Sequence, residues 1–171
     1  MIFIKIMISI VILLITSYIG IEMASALKER EEILTDYITF LRMVQNEMVY
    51  MSNSLPTSFE MARQKINSRL KDAIGAIVID MSEYGSNKID ASITENINNL
   101  DSLKSYDKEL IISTLKNLGR SDLDSQNNII ENNLQIMQKQ IKEANTLKIK
   151  SSKVYKTIGV ITGLIIVVIF I

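Results

Sequence analysis

Few kinds of residue in this 171-residue chain can do chemistry. There is no cysteine, histidine or tryptophan. Disulfides, thiolate or imidazole nucleophiles and zinc sites built on Cys or His are therefore excluded. Carboxylates, serines and lysines remain, but none of their spacings makes a catalytic constellation, so the expected function is non-enzymatic, with no cofactor and no metal. Nineteen basic residues balance nineteen acidic ones. The basic residues do not form the face, interleaved with aromatics, by which a protein grips nucleic acid. They concentrate at one place, Lys148, Lys150, Lys153 and Lys156, where the expected chemistry is attraction to anionic lipid and the setting of membrane topology.

That expectation follows from the elements on either side. Residues 6–21 and 158–171 are two almost unbroken aliphatic runs without charge. A hydrocarbon slab of roughly 30 Å is crossed by about 20 apolar residues rising ~1.5 Å each. The second run is short, and reaches the thickness when residues 154–157 are added and Lys153 and Lys156 snorkel to the headgroups. Basic residues beside membrane helices stay cytoplasmic, and both inner flanks are basic, with Lys28 and Arg30 after the first run and the lysine group before the second. The expected organisation is a transmembrane helix over 1–21, a cytoplasmic domain over 22–157 and a transmembrane helix over 158–171. Lys28, Arg30, Lys150, Lys153, Tyr155 and Lys156 would anchor it at the interface. Ala24-Ser25-Ala26 offers a competing reading as the cleavage site of an export signal, against which stand Glu22 before the site and a lone Lys5 ahead of the apolar run. Gly159 and Gly163 have the four-residue spacing that lets membrane helices approach closely, though an ordinary span uses glycine too.

The middle segment reads as all-α. One proline and six glycines in the whole chain leave little to interrupt helices. Leu34, Tyr37, Leu41, Val44, Met48, Met51 and Leu55 alternate by three and four, with Glu31, Glu32, Arg42 and Glu47 off the seam. This predicts a long helix continuing from the first apolar run, bent near Gly20, to about Met51. Leu55-Pro56 breaks it, and Thr57-Ser58-Phe59-Glu60 reads as a capping box restarting a second helix. That helix carries Phe59, Ala62, Ile66, Leu70 and the aliphatic patch 74–79, for which a short strand is the alternative. Tyr84-Gly85-Ser86-Asn87 marks a loop, and Ser92-Ile93-Thr94-Glu95 a capping box for a short helix to about Leu100. A further helix starts at Ser105 with Asp107 near its amino terminus and stops at Leu118-Gly119. Ile130, Leu134, Met137, Ile141 and Ala144 form a second seam, on a helix free of proline and glycine between Gly119 and Gly159. Two seamed helices joined by shorter ones predict a membrane-anchored antiparallel helical bundle. A coiled-coil oligomer is the rival.

Four stretches together resemble one family, the stage III sporulation protein AB of endospore-forming bacteria. They are Ser17-Tyr18-Ile19-Gly20-Ile21 with Arg30; Glu47-Met48-Val49-Tyr50 running to Leu55-Pro56, Phe59 and Ala62; Leu118-Gly119-Arg120-Ser121-Asp122 with Gln126 and Ile130; and Lys153-Val154-Tyr155-Lys156-Thr157-Ile158-Gly159-Val160 through Gly163-Leu164 to Ile171. Thr57 and Ser58 depart from the acidic residue and alanine usual after the Leu-Pro, and 71–101 matches nothing. The resemblance implies a membrane component of the assembly joining mother cell to developing spore, set in the mother-cell membrane around the forespore. Its domain would be similar to the cytoplasmic domains of type II secretion and type IV pilus platform proteins. The implied partners are a cytoplasmic ATPase, stage III sporulation protein AA, and other membrane components of the channel complex. On this reading Glu47, Tyr50, Pro56, Arg120, Asp122 and Gln126 are candidates for contacting a partner. The competing role for Glu47 and Tyr50 is bracing the turn, for Asp122 or Ser121 capping the helix, and for Gln126 local bonding.

Overall fold

The structure, a computed structural model, describes residues 2–84, 86–120 and 122–170. These form six helices and no strand: α1 (Ile2–Val49), α2 (Leu55–Arg63), α3 (Leu70–Tyr84), α4 (Ser86–Asn98), α5 (Ser105–Asn117) and α6 (Leu123–Phe170). The protein is all-α. Two compact units arise, one from Met1–Glu31 and Glu143–Ile171, the other from Glu32–Lys142. Both long helices contribute to each.

In the first unit α1 and α6 run antiparallel and touch through glycine. A Cβ on Gly20 would stand 2.7 Å from the Tyr155 carbonyl oxygen, and one on Gly159 would stand 2.7 Å from the Thr16 carbonyl oxygen. A Cβ on Gly163 would collide with the Thr16 hydroxyl. Backbone cannot yield as a flexible side-chain tip can, so only glycine permits this approach. Gly159 and Gly163 thus make a helix contact within the chain, and Gly20, expected as a bend, supplies its other side. The pair is tied further along: the Glu31 carboxylate accepts from Asn145 Nδ2 at 2.5 Å and pairs with Lys148, and Arg30 lies 3.8 Å from Glu143. Within α1 and α6, Met7–Val49 and Asp124–Val168 are long and apolar enough to cross a membrane.

The second unit is a helical bundle in which α3 packs on α2 and α4, and α4 on α5. The buried face of α1 is wider than a coiled-coil seam, since Ile33 and Phe40 join Leu34, Tyr37, Leu41, Val44 and Met48. Such a stripe suits a core contacted from more than one side. The Phe40 ring meets Phe59 of α2 edge-on, centroids 5.0 Å apart and planes at 79°. Ile130, Leu134 and Met137 bring the α6 seam in, with Ile141 half-buried. Met51 falls outside the predicted stripe, because α1 ends at Val49 and leaves it 61% exposed.

Three local expectations are corrected. α2 starts at Leu55 with Ser54 as its N-cap. Pro56 fits that first turn because amides there have no intrahelical acceptor, so the missing N–H costs nothing. Thr57 lies inside the helix with its hydroxyl 2.9 Å from that of Ser54, and Glu60 pairs forward with Arg63 at 2.7 Å instead of reaching back as a capping-box partner. That hydrogen bond holds the Glu60 carboxyl below its ordinary range. The expected second helix is really two. The break at 64–69 is held from a distance by Asp36 Oδ2, which accepts the Asn67 and Ser68 amides at 2.9 and 2.6 Å. Patch 74–79 is helical, within α3. α4 begins at Ser86, so Ser92 is a mid-helix residue whose hydroxyl donates to Asp80 of α3, not a cap. Of the expected 84–87 loop, Gly85 lies outside the described residues. α5 starts as expected, the Lys104 amide donating to Asp107 Oδ2 at 3.1 Å, and the chain turns at Gly119 with φ +82°.

Phe59→Ala is expected to cost about 3–5 kcal/mol, the range for an emptied aromatic core position, read by urea unfolding of the detergent-solubilised chain. Gly159→Leu is expected to lower stability by about 1–3 kcal/mol through overpacking. An unchanged unfolding midpoint for the glycine variant would contradict the close helix contact.

Candidate partner-docking end of the helical unit

Two turns lie side by side at one end of the second unit. The first links α1 to α2 and is braced by Glu47. Its carbonyl accepts the Asn53 amide at 3.0 Å, and its carboxylate accepts from Asn53 Nδ2 at 2.8 Å. Glu47 is consequently buried, 8% exposed, rather than off the seam on a wet face. Ser52 takes a left-handed φ of +53°, one of the costlier conformations for a residue with a Cβ. The tight turn pushes its tip outward: Tyr50 is 77% and Met51 61% exposed, beside half-exposed Val49 and Met61. Asn53 Nδ2 also stands 3.8 Å from the Met61 sulfur, which places that methionine against the same turn.

The second turn links α5 to α6. The Gly119 amide donates to Gln126 Oε1 at 3.0 Å, while Asp122 Oδ1 accepts the Ser125 amide at 2.9 Å and its other oxygen accepts the Ser125 hydroxyl. Asp122 is thus the cap of α6, and these bonds hold its carboxyl below the usual range. Arg120 reaches Asp90 of α4 at 2.6 Å, with more than half of its side chain in solvent. The turns touch where Leu55 packs on Gly119, since a Cβ there would stand 2.9 Å from Leu55 Cδ2. Between them opens a cleft with an apolar floor of Leu55, Met81, Leu115 and Leu118 and a charged rim of Asp90, Lys116 and Arg120.

The structure therefore gathers Glu47, Tyr50 and Pro56 with Arg120, Asp122 and Gln126 at one end of the unit. It also divides their work. Glu47, Asp122 and Gln126 are engaged in building the turns, whereas Tyr50 and Arg120 face outward. Sequence reasoning missed Met51 and Met61 as surface residues and Asp90 as the partner of Arg120; a methionine at seam spacing looks like core until the helix end is known. Ser121 lies outside the described residues. Of the expected interface anchors, Lys28, Lys150, Lys153 and Lys156 are exposed and Tyr155 is half-buried. Arg30 differs, being 3% exposed against Glu143.

The sequence profile of stage III sporulation protein AB matches residues 5–171. No curated protein and no solved structure matches the chain. The chain belongs to the stage III sporulation protein AB family.

Acid should loosen the second turn. The folded Asp122 carboxyl is depressed, so its capping contribution is complete above the ordinary carboxylate range near 4 and is lost as pH falls through the lowered folded value. Urea midpoints measured from pH 7 down to about pH 2.5 are expected to fall less for Asp122→Asn, which still accepts the amide but does not titrate. Parallel curves would remove Asp122 from the acid response.

Proposed function

We propose that this sporulation-family chain is a non-enzymatic membrane scaffold that crosses the bilayer twice and presents the paired turns to a cytoplasmic ATPase. The ATPase is stage III sporulation protein AA, and the assembly is the mother cell to forespore channel, with its other membrane components. Residues 22–157 face the mother-cell cytoplasm and the two apolar ends sit in the membrane around the forespore.

One observation carries the docking role. Tyr50 and Met51 project from a turn whose backbone is fixed by Glu47 and Asn53, so apolar surface is offered with little backbone freedom left to lose on binding. Exposed aromatic and methionine side chains are enriched in the cores of protein interfaces, and Tyr50 and Met51 supply both at this turn. For the membrane role, the most apolar stretches of α1 and α6 are only 17% and 11% buried. A core helix of a soluble protein hides most of such a surface; these leave Leu14, Tyr18, Ile165 and Val168 open. Against a coiled-coil assembly, the seams are largely buried within the chain, from Leu34 to Met48 on α1 and at Ile130, Leu134, Met137 and Ala144 on α6.

The test is affinity for the purified ATPase, using the full chain in lipid nanodiscs. Tyr50→Ala with Met51→Ala is expected to weaken binding about tenfold or more, about 1.4 kcal/mol, with the helical circular dichroism and unfolding midpoint unchanged because both side chains are exposed. Full affinity in this variant would sink the turn as the docking surface.

A further inference from the structure

A second surface lies on α6, on the side turned away from α1. At 100° per residue, Lys150, Lys153, Val154, Thr157 and Ile161 share one face. Tyr155, Gly159 and Gly163, which meet α1, lie opposite. Lys148 is taken by its ion pair with Glu31. Lys150 and Lys153 are exposed, and no ion pair holds either among the described residues. They line a shallow groove with Ile149, Val154, Thr157 and Ile158, and the three aliphatic side chains there are 70%, 49% and 52% exposed.

The groove is graded along the helix, from two ammonium groups through one hydroxyl to bare hydrocarbon. Lys150 to Ile161 covers about 16 Å of axis, enough to run from a phosphate plane into the acyl region. Building on the membrane-spanning reading above, we infer that this groove binds one anionic phospholipid. Its phosphate sits between Lys150 and Lys153 beside the Thr157 hydroxyl, and an acyl chain lies along Val154, Ile158 and Ile161. Lysine is a point-charge phosphate ligand with rotatable donors, suited to a mobile headgroup. A diffuse attraction would treat every lysine at this depth alike, whereas a groove does not. Lys156 supplies the comparison, since it lies within a turn of Lys153 but about 120° round the helix from Lys150.

Native mass spectrometry of the full chain in detergent, with phosphatidylglycerol and phosphatidylcholine in competition, reads the site. Wild type is expected to retain one phosphatidylglycerol in preference. Lys150→Gln with Lys153→Gln is expected to lose at least about fivefold of that occupancy, Lys153→Gln a clear part of it, and Lys156→Gln almost none. Equal loss from Lys153→Gln and Lys156→Gln, or no preference over phosphatidylcholine in wild type, overturns the groove. So does displacement of the lipid by glycerol phosphate at matched concentration, which would mark a plain phosphate site. Flotation of the chain with liposomes tests the spanning reading separately: a chain that fails to float refutes that reading, while lysine-specific lipid retention in detergent would still stand on its own.

Discussion

Backbone hydrogen bonding inside a helix is indifferent to what surrounds it, and this molecule depends on that property twice. α1 and α6 are each 48 residues long and unbroken. In one part of each, apolar side chains surround the axis and the backbone groups beyond the terminal turn are satisfied within the helix, the condition for lying in hydrocarbon. In the other part the apolar residues narrow to one side and are buried by protein. No loop separates the two regimes. The change is made by side-chain pattern alone, while a proline or an unpaired glycine turn in either helix would interrupt it.

Where α1 meets α6 in the first unit, the contact is made by what the side chains lack. On the membrane-spanning reading proposed above, aliphatic side chains gain little by meeting each other instead of lipid, so association there relies on close backbone packing. Gly20 against Gly159 supplies it, and the ion pair of Glu31 with Lys148 continues the attachment where the helices become polar.

The long patterns were legible in the sequence and the local punctuation only in part. The two helical seams follow from spacing, because periodicity sums over many residues, while the Gly119 turn and the start of α5 follow from residue type. Both proposed capping boxes failed for a shared reason: a serine or threonine followed by glutamate makes a cap only if nothing else claims those side chains. Here Arg63 claims Glu60 and Asp80 claims Ser92. The break between α2 and α3 had only the weak local signal of Asn67-Ser68, and its stabilising carboxylate, Asp36, is remote in sequence. The candidate docking end was half legible. Its six expected residues lie at one end of the second unit, but which of them build the turns and which face outward depended on hydrogen bonds such as that of Gly119 to Gln126.

Burial of polar groups inside the second unit argues for a fixed arrangement of its helices rather than a fluid apolar bundle. Tyr37 of α1 is wholly buried beside Thr114 of α5, and burial pushes its phenol well above the ordinary range. Asn133 of α6 donates to that threonine at 2.5 Å, and the threonine hydroxyl passes its own hydrogen to the Leu110 carbonyl at 2.8 Å. A slip of α6 by one turn would strand the amide among aliphatic side chains, an uncompensated desolvation of about 1–3 kcal/mol. Apolar seams alone tolerate such a slip, because leucine and isoleucine recur at every turn. The hydrogen bond from Asn133 to Thr114 opposes that slip and so holds α6 in one register against α5.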